Sequence, residues 1–174
     1  MTATSKIRDD FFRAACNGET EKLRETLSRH PEAVHWKNSG AGRTALAGAA
    51  RVGRLEDGSV TLLIEWGSDV NALDDKGATP LMCAAVNGSV EIARLLLEKG
   101  ADADIRGPRG RTAAEAAEAE GRQRNLAVAG FIRAYMLAAA EKRESLAVME
   151  SEAAQAHAGL DRPVSVCRPL VLKR

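Results

Sequence analysis

Thr79-Pro-Leu-Met-Cys-Ala-Ala-Val-Asn-Gly-Ser-Val-Glu-Ile-Ala-Arg-Leu-Leu-Leu-Glu-Lys-Gly-Ala-Asp102 decides how this chain is read. Thr79-Pro80 opens a helix, because proline is tolerated in the first turn and its fixed φ is already helical. Ala84 and Ala85 let a neighbouring helix approach closely, and Asn87-Gly88 supplies a turn. Ile92, Leu95 and Leu96 fall at i, i+3, i+4 and make one apolar face on a second helix. Gly100 then stops that helix. A helical hairpin this short cannot bury its own face, so it must stack against others.

The same marks recur in phase on both sides. Turn glycines stand at Gly18, Gly53, Gly88 and Gly121, spaced 35, 35 and 33. Helix-opening threonines stand at Thr44, Thr79 and Thr112, each two residues after a glycine (Gly42, Gly77, Gly110). Gly67 and Gly100, which end second helices, are 33 apart, and each precedes a small residue and an aspartate. Four features repeating together indicate an array.

The pattern resembles the ankyrin repeat. Gly77-Ala-Thr-Pro-Leu81, Ala84-Ala85, Asn87-Gly88 and Leu95-Leu-Leu-Glu-Lys-Gly-Ala-Asp102 carry the resemblance, with Gly67-Ser-Asp-Val-Asn71 ending the repeat before. It implies an all-α fold, an α-solenoid of helix-turn-helix repeats joined by β-hairpin-like finger loops. Four repeats are expected over about 7–38, 39–73, 74–106 and 107–136, making residues 1–136 the repeat domain. Residues 137–174 form a C-terminal helix and extended tail. The two ends are degenerate, as terminal repeats that face solvent on one side are. The first opens with Asp9-Asp10-Phe11-Phe12, acids suited to a helix N-terminus, with Phe11 replacing a repeat leucine. Leu23 and Leu27 point inward from its second helix. Trp36 is expected to pack on the second repeat's hairpin.

The second repeat carries two extra residues within Arg54-Leu-Glu-Asp-Gly-Ser59. They form either a neutral loop extension or an acidic bump, Glu56-Asp57, that contacts a partner. From Ile132 to Leu160 apolar residues follow a 3-4 spacing interrupted by Lys142. That helix either returns to the last repeat, projects, or pairs as a homodimeric coiled coil. In the tail, Val164, Val166, Leu170 and Leu172 alternate as a strand does, among Arg162, Arg168, Lys173 and Arg174.

Composition narrows the function. With 45% hydrophobic but 3% aromatic residues, alanine and leucine build the core, favouring packed helices over a β-sandwich. A formal charge of +1 gives no general attraction to nucleic acid or anionic membrane. The longest mostly apolar run, 126–140, is too short and too charged to span a bilayer, and no secretory signal opens the chain. Cys16, Cys83 and Cys167 are odd in number and dispersed, so a reducing, cytoplasmic setting is expected and no disulfide framework. His30, His35 and His157 have no metal-ligand spacing, and no phosphate loop or nucleophile elbow occurs. No catalytic residue, metal or cofactor is expected.

A non-enzymatic binding surface for a protein partner remains. The ankyrin resemblance implies that this surface runs along the finger tips and the exposed side of the first helices. Carried onto this chain it comprises Arg43, Arg51, Asp75, Lys76, Ala78, Val86, Asn87, Arg109 and Arg111. Trp66, which stands where the third repeat has Lys99, either joins them as a binding hot spot or covers the lengthened turn. Arginines at both ends and apolar residues between them suit a partner with acidic groups around an apolar spot. Such a protein is an adaptor, inhibitor or immunity-type protein; self-association through the C-terminal helix or tail is the alternative.

Overall fold

The computed structural model describes residues 3–52 and 58–158. Its elements are α1 (Ala3–Asn17), α2 (Thr20–Arg29), α3 (Ala45–Val52), α4 (Ser59–Glu65), α5 (Pro80–Asn87), α6 (Val90–Glu98), α7 (Ala113–Glu120) and α8 (Gln123–Ala158). Short 3-10 turns lie at Pro31–His35 and Pro108–Gly110. Gly53, the 54–57 part of the insertion with Glu56 and Asp57, and the tail from 159 with Leu160 and Cys167 lie outside the described residues. The chain divides into two units, 1–136 and 137–174.

Within residues 1–136 the helices alternate between an inner row and an outer row. Inner helices α1, α3, α5 and α7 pack each on the next, and outer helices α2, α4 and α6 pack on their own inner partners. Alanine makes the inner row close. In α3 every residue from Ala45 to Ala50 is buried, as is every residue from Pro80 to Ala85 in α5. A Cβ on Gly48 would stand 2.7 Å from the Phe12 ring, so α1 and α3 already touch through that glycine. Leucine fills the space between rows. Leu23, Leu27, Leu46, Leu63, Leu81 and Leu96 are fully buried, each contributing about 2 kcal/mol of hydrophobic stabilisation.

The threonine period is a capping period. Thr44 accepts from the Ala47 amide at 3.3 Å and Thr79 from the Met82 amide at 3.2 Å. Thr112 and Glu115 form a reciprocal capping box. Ser89 caps α6 in the same manner. At the other end of α5, Gly88 takes φ 84° and donates to Ala84 and Ala85 carbonyls, a left-handed cap that glycine adopts without steric cost. Asn125, fully buried on α8, reaches back and donates to the Ala85 carbonyl (3.1 Å) and to that of Val86. It adds a donor to the Ala85 carbonyl, which the Gly88 amide already meets, and supplies one to the Val86 carbonyl at the helix end.

Two local expectations need correction. Asp9 and Asp10 do not begin a helix, because α1 already starts at Ala3. Asp9 instead accepts from the Ser39 backbone (3.3 Å) and hydroxyl (3.0 Å), tying α1 to the next repeat's loop. Trp36 packs on the first repeat: edge-on to Phe11 at 6.3 Å, tilted against His30 at 5.8 Å, with the Arg8 guanidinium 6.0 Å from its ring. Phe11 at 2% exposure recruits it there. The finger loops are hairpin-like turns, and a single antiparallel bridge, Lys37–Thr44, is their only β pairing among the described residues. No helix among those residues is long and apolar enough to cross a membrane.

Candidate protein-binding cleft

Three fingers project between successive repeats, over residues 38–43, 74–78 and 107–111. A backbone hydrogen bond ties the base of each, from the Asn38 amide to the Arg43 carbonyl, Asp74 to Ala78 and Gly107 to Arg111, at 2.8, 3.0 and 2.9 Å. Side chains brace the first two. Asn38 Oδ1 accepts from the Arg43 amide at 2.8 Å, and Asp74 Oδ1 accepts from the Lys76 and Ala78 amides at 2.9 and 2.8 Å. The Asp74–Lys76 bond makes an Asx turn, in which a short carbonyl-bearing side chain accepts from the backbone two residues on, whereas Asn38 spans its whole finger. The third finger has Gly107 at that position and is braced instead by Arg106, whose Nη1 donates to the Gly110 carbonyl at 2.8 Å.

The fingers also bind one another. Asp75 donates its amide to the Ala41 carbonyl at 3.2 Å, and Lys37 Nζ donates to the Leu73 carbonyl at 2.8 Å. Arg43 Nε meets Asp74 Oδ2 at 3.1 Å.

Between the fingers and helices α3, α5 and α7 lies an open cavity of about 370 Å³. Its floor is apolar: Ala78, Met82, Cys83, Val86 and Ala116. Its rim carries Arg43, Arg51, Lys76, Arg109 and Arg111 against Asp74 and Glu120, five cations to two carboxylates and so an excess of three positive charges. Arg43 is already matched by Asp74. Arg51, Lys76, Arg109 and Arg111 form no ion pair among the described residues.

Seven of the ten residues singled out in the sequence line this cavity: Arg43, Arg51, Lys76, Ala78, Val86, Arg109 and Arg111. Asp75, Asn87 and Trp66 do not. Asp75 lies over Gly42, where any Cβ would collide with its carboxylate, and Asn87 ends α5 half-buried. Trp66 follows α4 in the outer row at 38% exposure and is not among the cavity's lining residues. Asp74, Met82, Ala116 and Glu120 were not foreseen as lining residues. Asp74 could have been found from Asp-Asp-Lys-Gly at 74–77, a strong Asx-turn signal. Cys83 is core, as its repeat position implies, and also touches the cavity floor.

The site is poor in reactive groups. Burial pushes the Cys83 thiol up to about 11 and raises that of half-buried Cys16 as well, against the opposing pull of nearby arginines. Thiols raised in this way are poor nucleophiles near neutral pH. Among the described residues no cluster of three or more His, Cys, Asp or Glu is placed to hold a metal ion.

A family profile described as ankyrin repeats, in three copies, matches residues 11–123. The chain belongs to the ankyrin-repeat family. Rat ankyrin repeat and SAM domain-containing protein 6 is 38% identical over 113 residues, covering 64% of this chain but 12% of that protein. Human protein phosphatase 1 regulatory subunit 27 is 42% identical over 64 residues, 37% of this chain and 40% of its own. The ankyrin array thus spans a minor part of the length of these relatives. Among solved structures, the complex of yeast ribosomal protein Rps3 with its chaperone Yar1 contains a chain that matches with a TM-score of 0.66. The match has 28% identity and covers 73% of this chain and 91% of that one. The array is a protein–protein interaction module.

Proposed function

We propose that this ankyrin array is a non-enzymatic adaptor- or inhibitor-type protein that captures a protein partner in the cleft between its fingers and inner helices. One observation carries the reading. Four cations with no internal ion pair among the described residues surround an apolar floor, and a partner with acidic groups around an apolar spot is complementary to both. The solved chaperone complex supports binding of a protein by an array of this fold. A charge excess of three confined to one cleft, in a chain of formal charge +1, favours a protein over a nucleic acid, whose binding needs an extended cationic track. The raised thiols of Cys16 and Cys83 support the non-enzymatic part of the reading. On the odd, dispersed cysteines we place the protein in the cytoplasm.

The test is capture from native lysate with the wild-type chain and with Arg51, Arg109 and Arg111 changed together to glutamate. Arg43 is spared because it neutralises buried Asp74. Loss of a specific bound protein in the triple variant is expected; an unchanged capture overturns the cleft as the binding face. A second reading rests on α8, where Leu146, Val148 and Met149 are about half exposed or more. Self-association through them predicts a concentration-dependent dimer in sedimentation, and a monomer at every concentration removes it.

A further inference from the structure

Arg109 stands in an unusual backbone conformation. Pro108 and Arg109 are the central pair of a turn closed by the Gly110 amide donating to the Gly107 carbonyl at 3.0 Å. Arg109 has φ 62° and ψ 23°, and it is the only non-glycine residue with positive φ among the described residues. A turn of this second type prefers glycine or asparagine there, because a larger side chain crowds the backbone in the left-handed region. The repeat does not impose this strain. In the second finger the corresponding turn, Asp74 to Gly77, is closed at 2.9 Å with Lys76 in the same place, and Lys76 is not at positive φ. The third finger also lies close on the cleft floor: a Cβ on Gly107 would stand 2.3 Å from Met82 Sδ.

Strain of this kind persists where the side chain has a use, so the outlier leads to a hypothesis about function. The geometry points to Arg109 as the residue that selects the partner, and to the partner as an extended acidic segment presenting one apolar side chain between carboxylates. This rests on the cleft being the binding face. The apolar side chain enters between Ala78, Val86 and Ala116. Arg109 takes a flanking carboxylate in a two-bond pair, and Arg51 and Lys76 receive the carboxylates on the other side. At about 370 Å³ the cavity sits near the lower end of ligand pockets, roughly 300–1,000 Å³, which fits one side chain with its flanking backbone.

The probe is the peptide acetyl-Glu-Glu-Leu-Glu-Glu-amide, titrated into the isotope-labelled full chain by NMR so that weak binding is read residue by residue. Amide shifts at Ala78, Val86, Arg109 and Ala116 are expected. Binding should weaken about tenfold or more when all four glutamates become glutamine, and likewise when leucine becomes serine. Arg109→Gly should keep or raise the melting temperature and weaken the acidic peptide about tenfold; Arg109→Asn, also at ease at positive φ, should do the same. Two variants that bind as wild type overturn the role of Arg109, as does a lowered melting temperature in both. Absence of cleft shifts at millimolar peptide overturns the acidic-segment partner. Either result leaves the cleft itself to be judged separately by the lysate capture.

Discussion

The Arg43 guanidinium meets the Asp74 carboxylate at 3.1 Å, joining the first finger to the second at the edge of the cleft. The pair is not a surface ornament. Asp74 has 1% of its side chain exposed and also closes its own finger through the Lys76 and Ala78 amides. Removing the carboxylate leaves the partly exposed Arg43 guanidinium and two finger amides without their acceptor together. Asp74→Ala should cost about 2–4 kcal/mol, read as a lowered midpoint in urea unfolding. Arg43→Ala leaves Asp74 its two amide donors and should cost less.

The capping box on α7 predicts a pH dependence. The Thr112 amide donates to the Glu115 carboxylate at 2.9 Å, which with Arg106 and Arg133 nearby holds its pKa below the usual glutamate value. A carboxyl depressed on folding stabilises the fold at pH above its unfolded pKa, and that stability is lost as pH falls through the lower folded value. Glu115→Gln should therefore flatten the acid limb of a melting temperature profile below about pH 4.5 while leaving its slope above pH 6 unchanged. Thr112→Ala removes the hydroxyl acceptor and should cost about 1 kcal/mol at any pH, measured by urea unfolding.

How much of this was legible in the sequence follows from what each residue answers to. Thr44, Thr79 and Thr112 are repeated because each helix needs the same cap, so local pattern exposed them and with them the fold. Arg109 and Ala116 share a cavity only because finger three and α7 stack on α5, and spacing alone does not report a distance between repeats. The ankyrin resemblance bridged that gap for seven residues. Trp66 was singled out on a different signal, a large apolar side chain in a usually polar position, which fits a binding spot or a covered turn and carries no distance to the fingers. Asp9 and Asp10 were misread because acids suit a helix start, whereas here both lie inside α1, Asp9 in tertiary contact with Ser39 and Asp10 paired with Arg13.

Gly107 makes the close approach of finger three to α5. A Cβ there would meet Met82 Sδ at 2.3 Å and the Gly77 carbonyl at 2.8 Å. Met82 is a flexible side chain and can move; the Gly77 carbonyl is backbone and belongs to the neighbouring finger. Gly107→Ala should therefore destabilise by about 1–3 kcal/mol, and adding Met82→Ala should not restore wild-type stability. Full restoration in urea unfolding of the double variant would show that the side-chain collision alone set the cost.

Cys83 offers a reporter of the cleft from beneath. It is 8% exposed at the floor, and burial raises its thiol to about 11, so only a minute fraction is thiolate at pH 7.5. Thiolate is the species that alkylates, so native Cys83 should react with iodoacetamide at least about a hundredfold more slowly than in the urea-unfolded chain. Because the titration follows from burial, the native rate should still be climbing between about pH 10 and 11, where an exposed thiol is near its plateau. Peptide mapping after timed quenching separates Cys83 from Cys16 and Cys167. A native rate equal to the unfolded one would mean that the cleft floor opens far more readily than the packing of α5 against α3 and α7 allows.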